Sequence, residues 1–359
     1  MDKLKLHDHI ISMHLPYYFY LYTMIFVTGA TGLVGSHLLV RLSNLNREVR
    51  ALRRKTSDLK TVKNIFQRYA LNPEAQFAAI EWVEGDLTDI FALEDFLVGV
   101  DEVYHCAGVV SFNSVDKRQI NSVNITGTAN IVNASLTAGI KKFCHVSSIA
   151  AMGSADHPTM IDENSLWKAS KRNSVYGISK YGAEREVWRG IAEGLNATIV
   201  NPSVILGPGD WKTGSSELFT LVWKGLKFYT LGTKGFVDVR DVAKAMTLLM
   251  DGNHFGERFL VSAENLSFKQ LFTFIATNLH KKPPSIEAKP WISAIAWRVL
   301  AVTGFISGKK PAITRETARS ANSRSAYSSA RLINRVGLEY IPIEQSIKDI
   351  CEIFLQSHV

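Results

Sequence analysis

The residues best suited to chemistry are a serine pair, a tyrosine and a lysine near the middle of the chain. Ser147 and Ser148 follow an apolar run, and Tyr176 and Lys180 come 28 and 32 residues after Ser148. Positions i and i+4 share one face of a helix, so Tyr176 and Lys180 can reach the same site. A nearby ammonium lowers a tyrosine pKa, and a serine hydroxyl can hold a substrate oxygen. The set predicts proton transfer at oxygen, with an incidental surface helix as the alternative.

A glycine-rich loop near the start of the chain could hold a phosphate group. Three glycines with GxxGxxG spacing follow the apolar run Met24–Val27 and precede an amphipathic stretch. A turn without side chains lets pyrophosphate approach backbone N–H groups at the positive end of a helix. The loop predicts a dinucleotide site, and a turn needed only for packing is the alternative. The candidate binding residues are Gly29, Thr31, Gly32, Leu33, Val34 and Gly35.

The residues after the second apolar run indicate which dinucleotide would bind. An NAD-specific site usually has an acid here to hold the ribose hydroxyls. This chain has the cations Arg53, Arg54 and Lys55 instead, and no carboxylate before Asp58. Guanidinium groups suit phosphate because they bind it in a bidentate manner. The segment therefore predicts a preference for NADP(H), with NAD(H) or a merely solvated basic turn as alternatives.

These residues need a scaffold that brings distant loops together, and the hydrophobic pattern predicts one. Short apolar runs alternate with helix-length segments as far as Asn201. This alternation predicts an α/β fold, a Rossmann-type doubly wound parallel sheet covered on both faces. The predicted strands are Ile25–Thr28, Val49–Leu52, Ile80–Val83, Glu102–His105, Phe143–Val146 and Thr198–Asn201, and the predicted helices include Leu33–Leu45 and Asn124–Ala138.

The breaker-rich stretch Pro202–Gly214 marks a change in organisation. We expect residues 24–201 to form the NAD(P)-binding domain and residues 202–359 a smaller α+β substrate-binding lobe. A segment near 236–250, with a predicted helix over Asp238–Met250, is expected to return to the first domain.

Residues 1–23 are expected to be a non-core extension, because a histidine and a proline interrupt their apolar run and no cleavage site follows. A short membrane-surface anchor is the alternative, because several tyrosines would suit an interface. A second apolar stretch, Trp291–Phe305, predicts a helix over the substrate cleft. Alternatively, it forms a surface that meets a membrane or a lipid-like substrate.

The composition excludes disordered, collagen-like and coiled-coil proteins. The 359 residues are 46% apolar and 21% charged, as in an ordinary globular enzyme. The net charge of +8 is compatible with an anionic ligand but is not a nucleic-acid signature. Cys106, Cys144 and Cys351 lie far apart without a CxxC or histidine pattern, so neither a metal site nor a disulfide framework is predicted. This usage predicts a reducing, cytoplasmic location.

Taken together, these motifs resemble the extended short-chain dehydrogenase/reductase family, also called the NAD-dependent epimerase/dehydratase family. The resemblance runs from about Met24 to the C-terminus and is best over the first two-thirds. It implies that Tyr176 is the acid/base and that Lys180 orients the ribose and tunes Tyr176. It also implies that Ser148, rather than Ser147, is the catalytic serine.

The resemblance also implies further cofactor contacts. Arg54 and Lys60 align with cations that hold the 2′-phosphate in dihydroflavonol-reductase-like members. Asn124 matches an asparagine that helps to shape the site. The remaining implied contacts are Asp86 and Leu87 at the adenine, Ala107 beside the nicotinamide ribose, and Pro202 and Val204 facing the carboxamide.

Departures from the family pattern select a branch. Sugar-nucleotide dehydratases carry an Asp-Glu pair just after the catalytic residue, where this chain has Ile149–Ala151. Epimerases keep an acid after the second strand, and this chain lacks it. The resemblance therefore implies the branch of dihydroflavonol-reductase-like and 3β-hydroxysteroid-dehydrogenase-like enzymes. The implied reaction is NAD(P)H-dependent reduction of a hydrophobic ketone, or oxidation of the alcohol.

Two other functions stay open at this point. One is a redox-neutral sugar-nucleotide epimerase with tightly bound NAD, and the other is a nucleotide-binding scaffold without turnover. Members of the family often form dimers through a four-helix face, which leaves a homodimer open. The sequence does not specify the substrate, because the motifs are weakest in the lobe that would bind it.

Overall fold

The computed structural model of the chain describes residues 23–111, 113–152, 160–170, 173–292, 295, 297–298 and 314–358. Nearly all of the predicted extension at residues 1–23, and most of Trp291–Phe305, lie outside the described residues.

A seven-stranded parallel sheet forms the centre of the molecule. Its strands are β1 Met24–Thr28, β2 Glu48–Arg53, β3 Glu81–Glu84, β4 Glu102–His105, β5 Lys142–Val146, β7 Ala197–Pro202 and β11 Glu257–Val261. Their order across the sheet is β3-β2-β1-β4-β5-β7-β11, which confirms the predicted Rossmann-type fold. Six strands match the predicted runs. The seventh, β11, lies outside them and pairs with β7.

The strand order determines where a site can form. Strand β1 lies between β2 and β4, and the chain extends the sheet on one side as far as β3 before it crosses to β4. The crossovers therefore leave β1 in opposite directions and open a crevice at the carboxyl ends of β1 and β4. Every pair in this sheet is parallel, so the loops that follow β1, β2, β4, β5 and β7 meet at the same edge.

Helices cover both faces of this sheet. The helices among the described residues, of which α8, α10 and α13 belong to the C-terminal core, are α1 Leu33–Asn44, α2 Lys60–Tyr69, α3 Pro73–Ala78, α4 Ile90–Phe96, α5 Lys117–Asn121, α6 Gly127–Thr137, α7 Val175–Ala192, α8 Glu217–Trp223, α9 Val239–Asp251, α10 Phe268–Asn278, α11 Arg315–Asn322, α12 Ala330–Val336 and α13 Ile343–His358. Helices α1 and α9 bury apolar side chains against one face, including Leu39 and Met246. Helices α4, α6 and α7 cover the other face, with Leu93, Ile131 and Val187 in the core.

The C-terminal part of the chain has a core of its own. Its strands are β8 Val204–Leu206, β9 Phe228–Tyr229, β10 Thr233–Asp238, β12 Glu264–Ser267 and β13 Ile286–Glu287, while β6 Met160–Ile161 pairs with β14 Ala326–Tyr327. Phe219, Phe236, Ile275, Ile347 and Phe354 are fully buried together.

The chain after residue 202 also returns to the central sheet. Helix α9, which matches the predicted helix over Asp238–Met250, packs on α1, and β11 extends the sheet beyond β7. The domain boundary at residues 201 and 202 stays a prediction. Within the described ranges, none of the helices combines the length and the apolar character that crossing a bilayer requires.

Candidate active site

The glycine loop between β1 and α1 is held by backbone contacts that leave no room for side chains. Gly29 has a φ of +66°, and a Cβ on it would lie 2.5 Å from the backbone nitrogen of Ala107. A Cβ on Gly35 would overlap the backbone of Gly29. Helix α1 begins behind Gly32, which supplies no side-chain cap for the first-turn N–H groups. The loop, with Thr31, Leu33 and Val34 half-buried along it, therefore fits an approaching pyrophosphate.

The variant Gly29→Ala is expected to lose both stability and nucleotide binding. A left-handed φ costs an alanine about 1–2 kcal/mol, and overlap with a packed neighbour adds about 1–3 kcal/mol. Gly99→Ala is the matched control, because Gly99 also has a positive φ of +75° but faces open space. Thermal unfolding and an NADPH titration check this. A Gly29→Ala protein that melts and binds like Gly99→Ala would contradict the predicted role of the loop.

The cations at and after the end of β2 have different surroundings, because the register between β2 and β3 gives only Arg53 a carboxylate partner. Strand pairing places Arg53 opposite Glu84, and the Arg53 guanidinium donates to the Glu84 carboxylate. Arg54 and Lys60 are exposed, and neither side chain bonds to another residue in the described part of the chain. Asp58 accepts a hydrogen bond from the Lys60 backbone N–H at 2.8 Å. Arg54, Lys60 and the equally exposed Lys55 therefore remain available to an incoming phosphate, and no acid stands at the end of the second strand.

Asp86 and Leu87 follow β3 and lie beside this basic segment. Hydrogen bonds from the backbone N–H and the hydroxyl of Thr88 lower the pKa of Asp86, and Arg54 acts in the same direction. Leu87 is buried, and its carbonyl accepts a hydrogen bond from Asn130 Nδ2 at 3.0 Å. The structure thus brings Arg54 and Asp86 into one neighbourhood.

Ser148, Tyr176 and Lys180 converge beyond the carboxyl end of β5. Tyr176 is hydrogen-bonded with Ser148, and Lys180 Nζ donates to the Val146 carbonyl at 2.7 Å. Helix α7 carries both Tyr176 and Lys180 in its first two turns, and the Ser174 hydroxyl caps its amino end. Three side chains from two elements therefore meet as the spacing predicts.

The two adjacent serines have different surroundings. Ser147 is buried, and its hydroxyl donates to Glu184 Oε2 at 2.8 Å. Ser148 is only half-buried, hydrogen-bonds with Tyr176, and accepts from the Ala150 backbone N–H at 3.1 Å. Only the second serine has its hydroxyl beside the tyrosine.

Burial changes the acid–base properties of both helix residues. It raises the pKa of Tyr176, and the hydrogen bond with Ser148 opposes the increase only in part. This differs from the sequence prediction of a lowered tyrosine pKa, because removing water from the phenol has the larger effect. Burial also lowers the pKa of Lys180 to about 8, although Glu184 and Cys106 favour its charged form. At neutral pH the pair is therefore a phenol and an ammonium.

A π-helical turn between α5 and α6 positions Asn124 behind this pair. The Asn124 side chain donates to the Val109 carbonyl at 3.0 Å and accepts from the Val109 N–H at 2.7 Å. A Cβ on Gly108 would lie 3.6 Å from Lys180 Nζ. Asn124 thereby fixes the loop after β4 against Lys180, and π-helical turns often occur at functional sites.

The remaining predicted contacts extend along the same edge of the sheet. The Ala107 backbone N–H donates to the Thr28 hydroxyl at 3.3 Å, so its loop adjoins the glycine loop. Pro202 ends β7 and is buried, and Val204 opens β8 and is half-buried. Across the described ranges, no three His, Cys, Asp or Glu side chains are grouped to bind a metal ion.

Sequence analysis missed one residue of this region, Glu184. It lies on α7 one turn beyond Lys180, is buried, and accepts hydrogen bonds from Ser147 and Asn201. The i, i+4 spacing that pairs Tyr176 with Lys180 continues to Glu184, and this spacing was the signal available in the sequence.

Comparison with known proteins identifies the family. The model of the NAD dependent epimerase/dehydratase family matches residues 25–261, which is more than half of the chain. The chain belongs to this family. Its members bind NAD(P), and crystal structures with a similar fold contain bound NAD.

Two curated relatives have reductase or sterol-related names. A Synechocystis sp. protein named as a dihydroflavonol 4-reductase is 28% identical over 93% of this chain and 94% of its own. Sterol demethylase protein B of Methylococcus capsulatus is 30% identical over 69% of this chain and 72% of its own. With such relatives, this family member is an NAD(P)-dependent oxidoreductase.

Solved structures agree in fold. The crystal structure of gox2253 superposes with a TM-score of 0.76 at 29% identity and covers 93% of this chain and 98% of its own. A UDP-glucose 4-epimerase from Thermotoga maritima has a TM-score of 0.72 at 20% identity, covering 94% and 100% of the two chains. At that identity the epimerase supports the family fold alone.

Proposed function

We propose that this protein is an NADPH-dependent carbonyl reductase that acts on a hydrophobic ketone, or on the alcohol in reverse. The observation that carries the proposal is the exposed pair Arg54 and Lys60, left available beside Asp86 while Arg53 is bound to Glu84. A 2′-phosphate carries the charge that such cations attract, and an NAD-specific site would have an acid in their place.

Three of the chain's own side chains would serve the reduction. When bound, a reduced nicotinamide supplies a hydride to the carbonyl carbon. Ser148 donates a hydrogen bond to the carbonyl oxygen and holds it beside Tyr176. Tyr176 gives the oxygen a proton, and its raised pKa keeps that proton available at neutral pH. The Lys180 ammonium stabilises the phenolate that is left.

The rate of ketone reduction is expected to fall as pH rises through about 8, the pKa to which burial lowers Lys180. The ammonium is lost above that pH, whereas the phenol of Tyr176 keeps its proton further into the alkaline range because its pKa is raised. Measurement of kcat at saturating substrate between about pH 6 and 10 checks this. A rate that stays level across that range would contradict it.

The residues after Ser148 support a reductase over a dehydratase. Ile149–Met152 form a short 3-10 helix without a carboxylate, so no additional acid or base follows the serine within this turn, where a dehydratase carries its Asp-Glu pair. Val109 and Val110 continue the loop from Gly108 next to Lys180, and Val110 is exposed. The relatives named for dihydroflavonol and sterol conversion point to the same apolar class of substrate.

A deuterium-transfer assay tests the proposal. The protein is incubated with a panel of flavonoid, steroid and aryl ketones and NADPH deuterated on either face of nicotinamide C4. In parallel, it is incubated with UDP-sugars and NAD⁺. Deuterium at the new carbinol carbon, detected by mass spectrometry, is the expected result. Interconversion of the UDP-sugars without net oxidation or reduction would overturn the proposal in favour of an epimerase.

A further inference from the structure

A buried carboxylate lies behind the catalytic face of α7. Glu184 is one helical turn beyond Lys180 and two turns beyond Tyr176, and it is 2% exposed. A buried charge is costly unless several donors satisfy it. Glu184 has four such donors, and they come from three other places in the chain as well as from its own helix.

One oxygen of Glu184 holds the strand ends that carry the catalytic serine. Glu184 Oε2 accepts from Ser147 Oγ and from Asn201 Nδ2, each at 2.8 Å. The same Asn201 Nδ2 donates to the Ser148 carbonyl at 3.1 Å. The carboxylate therefore connects α7 to the last residues of β7 and to the segment after β5. Through these bonds it fixes Ser148 relative to Tyr176.

The other oxygen is anchored from the edge of the sheet. Glu184 Oε1 accepts from Arg258 Nη1 at 3.2 Å and from Trp188 Nε1 at 3.4 Å. Arg258 also donates to the carbonyls of Glu163 and Ser165, and these bonds fix the position of its guanidinium group. With both oxygens engaged, Glu184 has a single orientation.

Glu184 also interacts electrostatically with the Lys180 ammonium, one turn before it on α7. The other titratable groups around Lys180 are Tyr176 on α7, His105 and Cys106 at the end of β4, and His145 on β5. Burial lowers the pKa of both histidines and raises that of Cys106 to about 12, so these groups are neutral near pH 7. Glu184 favours the charged form of Lys180 and so opposes the effect of burial.

We propose that Glu184 is a positioning residue that fixes Ser148 through Asn201 and places a carboxylate one helical turn from the Lys180 ammonium. Its role in turnover rests on the proposed reductase function. Its effect on Lys180 does not, because that charge exists whatever the substrate is. The two parts therefore need separate measurements.

The test compares Glu184→Gln with Glu163→Gln as the matched control. Glu163 is also a buried glutamate, 6% exposed, but the described contacts of its carboxylate are with the Leu260 backbone N–H and with Arg331, not with Ser148, Tyr176 or Lys180. Glu184→Gln is expected to lower kcat by about 10- to 100-fold, because small displacements of reacting groups cost this much. In its pH–rate profile, the alkaline limb (the fall of kcat at high pH) is expected to lie about one pH unit lower than in wild type, because an opposite charge near Lys180 has been removed. Glu163→Gln is expected to keep the wild-type kcat and limb.

A conservative variant separates charge from geometry. Glu184→Asp retains the carboxylate but shortens its reach, so the alkaline limb is expected to stay near the wild-type pH while kcat falls. The limb of Glu184→Gln alone is expected to move. If the limbs of both variants equal that of wild type, the electrostatic role is overturned.

The last readout is independent of turnover. Protein labelled at lysine Cε is titrated by NMR, and a Lys180→Met variant assigns the resonance. We expect the Lys180 titration of Glu184→Gln to shift to lower pH, and an unchanged titration would overturn the role of Glu184. If wild-type protein reduces no ketone while Lys180 still shifts, the proposed reductase function fails and the effect of Glu184 on Lys180 stands.

Discussion

Replacement of Tyr176 by phenylalanine is expected to lower kcat for ketone reduction by about 10²- to 10⁴-fold, the range for loss of a positioned acid. The ring remains, but the hydroxyl that hydrogen-bonds with Ser148 and that we propose as the acid is gone. Nucleotide affinity is expected to change little, because the glycine loop and Lys180 are untouched. Steady-state kinetics and a fluorescence titration with NADPH measure the two quantities.

Tyr181→Phe is the matched control for this variant. Tyr181 lies on the same helix, but its ring stacks on Trp167 with centroids 4.5 Å apart, away from Ser148. Tyr181→Phe also removes one hydroxyl from α7, and it is expected to leave kcat near that of wild type. A wild-type kcat in Tyr176→Phe would contradict this prediction and assign the acid to another group.

Replacement of Arg54 by alanine is expected to reduce the preference for NADPH over NADH by about 10- to 100-fold. A hydrogen bond to a charged group contributes about 1.5–3 kcal/mol, and each 1.4 kcal/mol is a tenfold change. The effect should appear in kcat/KM for NADPH and not for NADH, which has no 2′-phosphate. Arg54 is exposed and available for this contact, whereas Arg53 is bound to Glu84.

Lys141→Ala controls for the loss of one positive charge. Lys141 precedes β5 at the opposite edge of the sheet, where it pairs with Asp101 at 2.5 Å. Its removal is expected to leave the ratio of the two kcat/KM values unchanged. If Arg54→Ala also keeps the wild-type ratio, the cations after β2 do not select the cofactor.

Local sequence was sufficient to predict the strands and helices in the part of the chain where they alternate regularly. The six predicted strands and the glycine loop follow from apolar periodicity and spacing, which are properties of short segments. Strand β11 was not found because its place depends on pairing with β7, more than fifty residues away in the chain. No local pattern records such a pairing once the alternation of strands and helices has ended.

In the site, too, local spacing predicted some features, and others depend on the assembled fold. The i, i+4 spacing predicted that Tyr176 and Lys180 would share a face, and the structure places them so. The register of β2 with β3, which the sequence does not specify, determines that Arg53 meets Glu84 and Arg54 does not. The raised pKa of Tyr176 depends on burial by the assembled fold, so a neighbouring lysine alone predicted the wrong direction.

The nucleotide that accompanies the purified protein tests the central claim most directly. Protein prepared without added nucleotide is denatured, and the released small molecules are identified by chromatography. A reductase that exchanges its cosubstrate is expected to release little nucleotide, or NADP(H). Near-stoichiometric NAD⁺ would contradict the account, because it would indicate a cofactor retained through turnover and a site that does not select the 2′-phosphate.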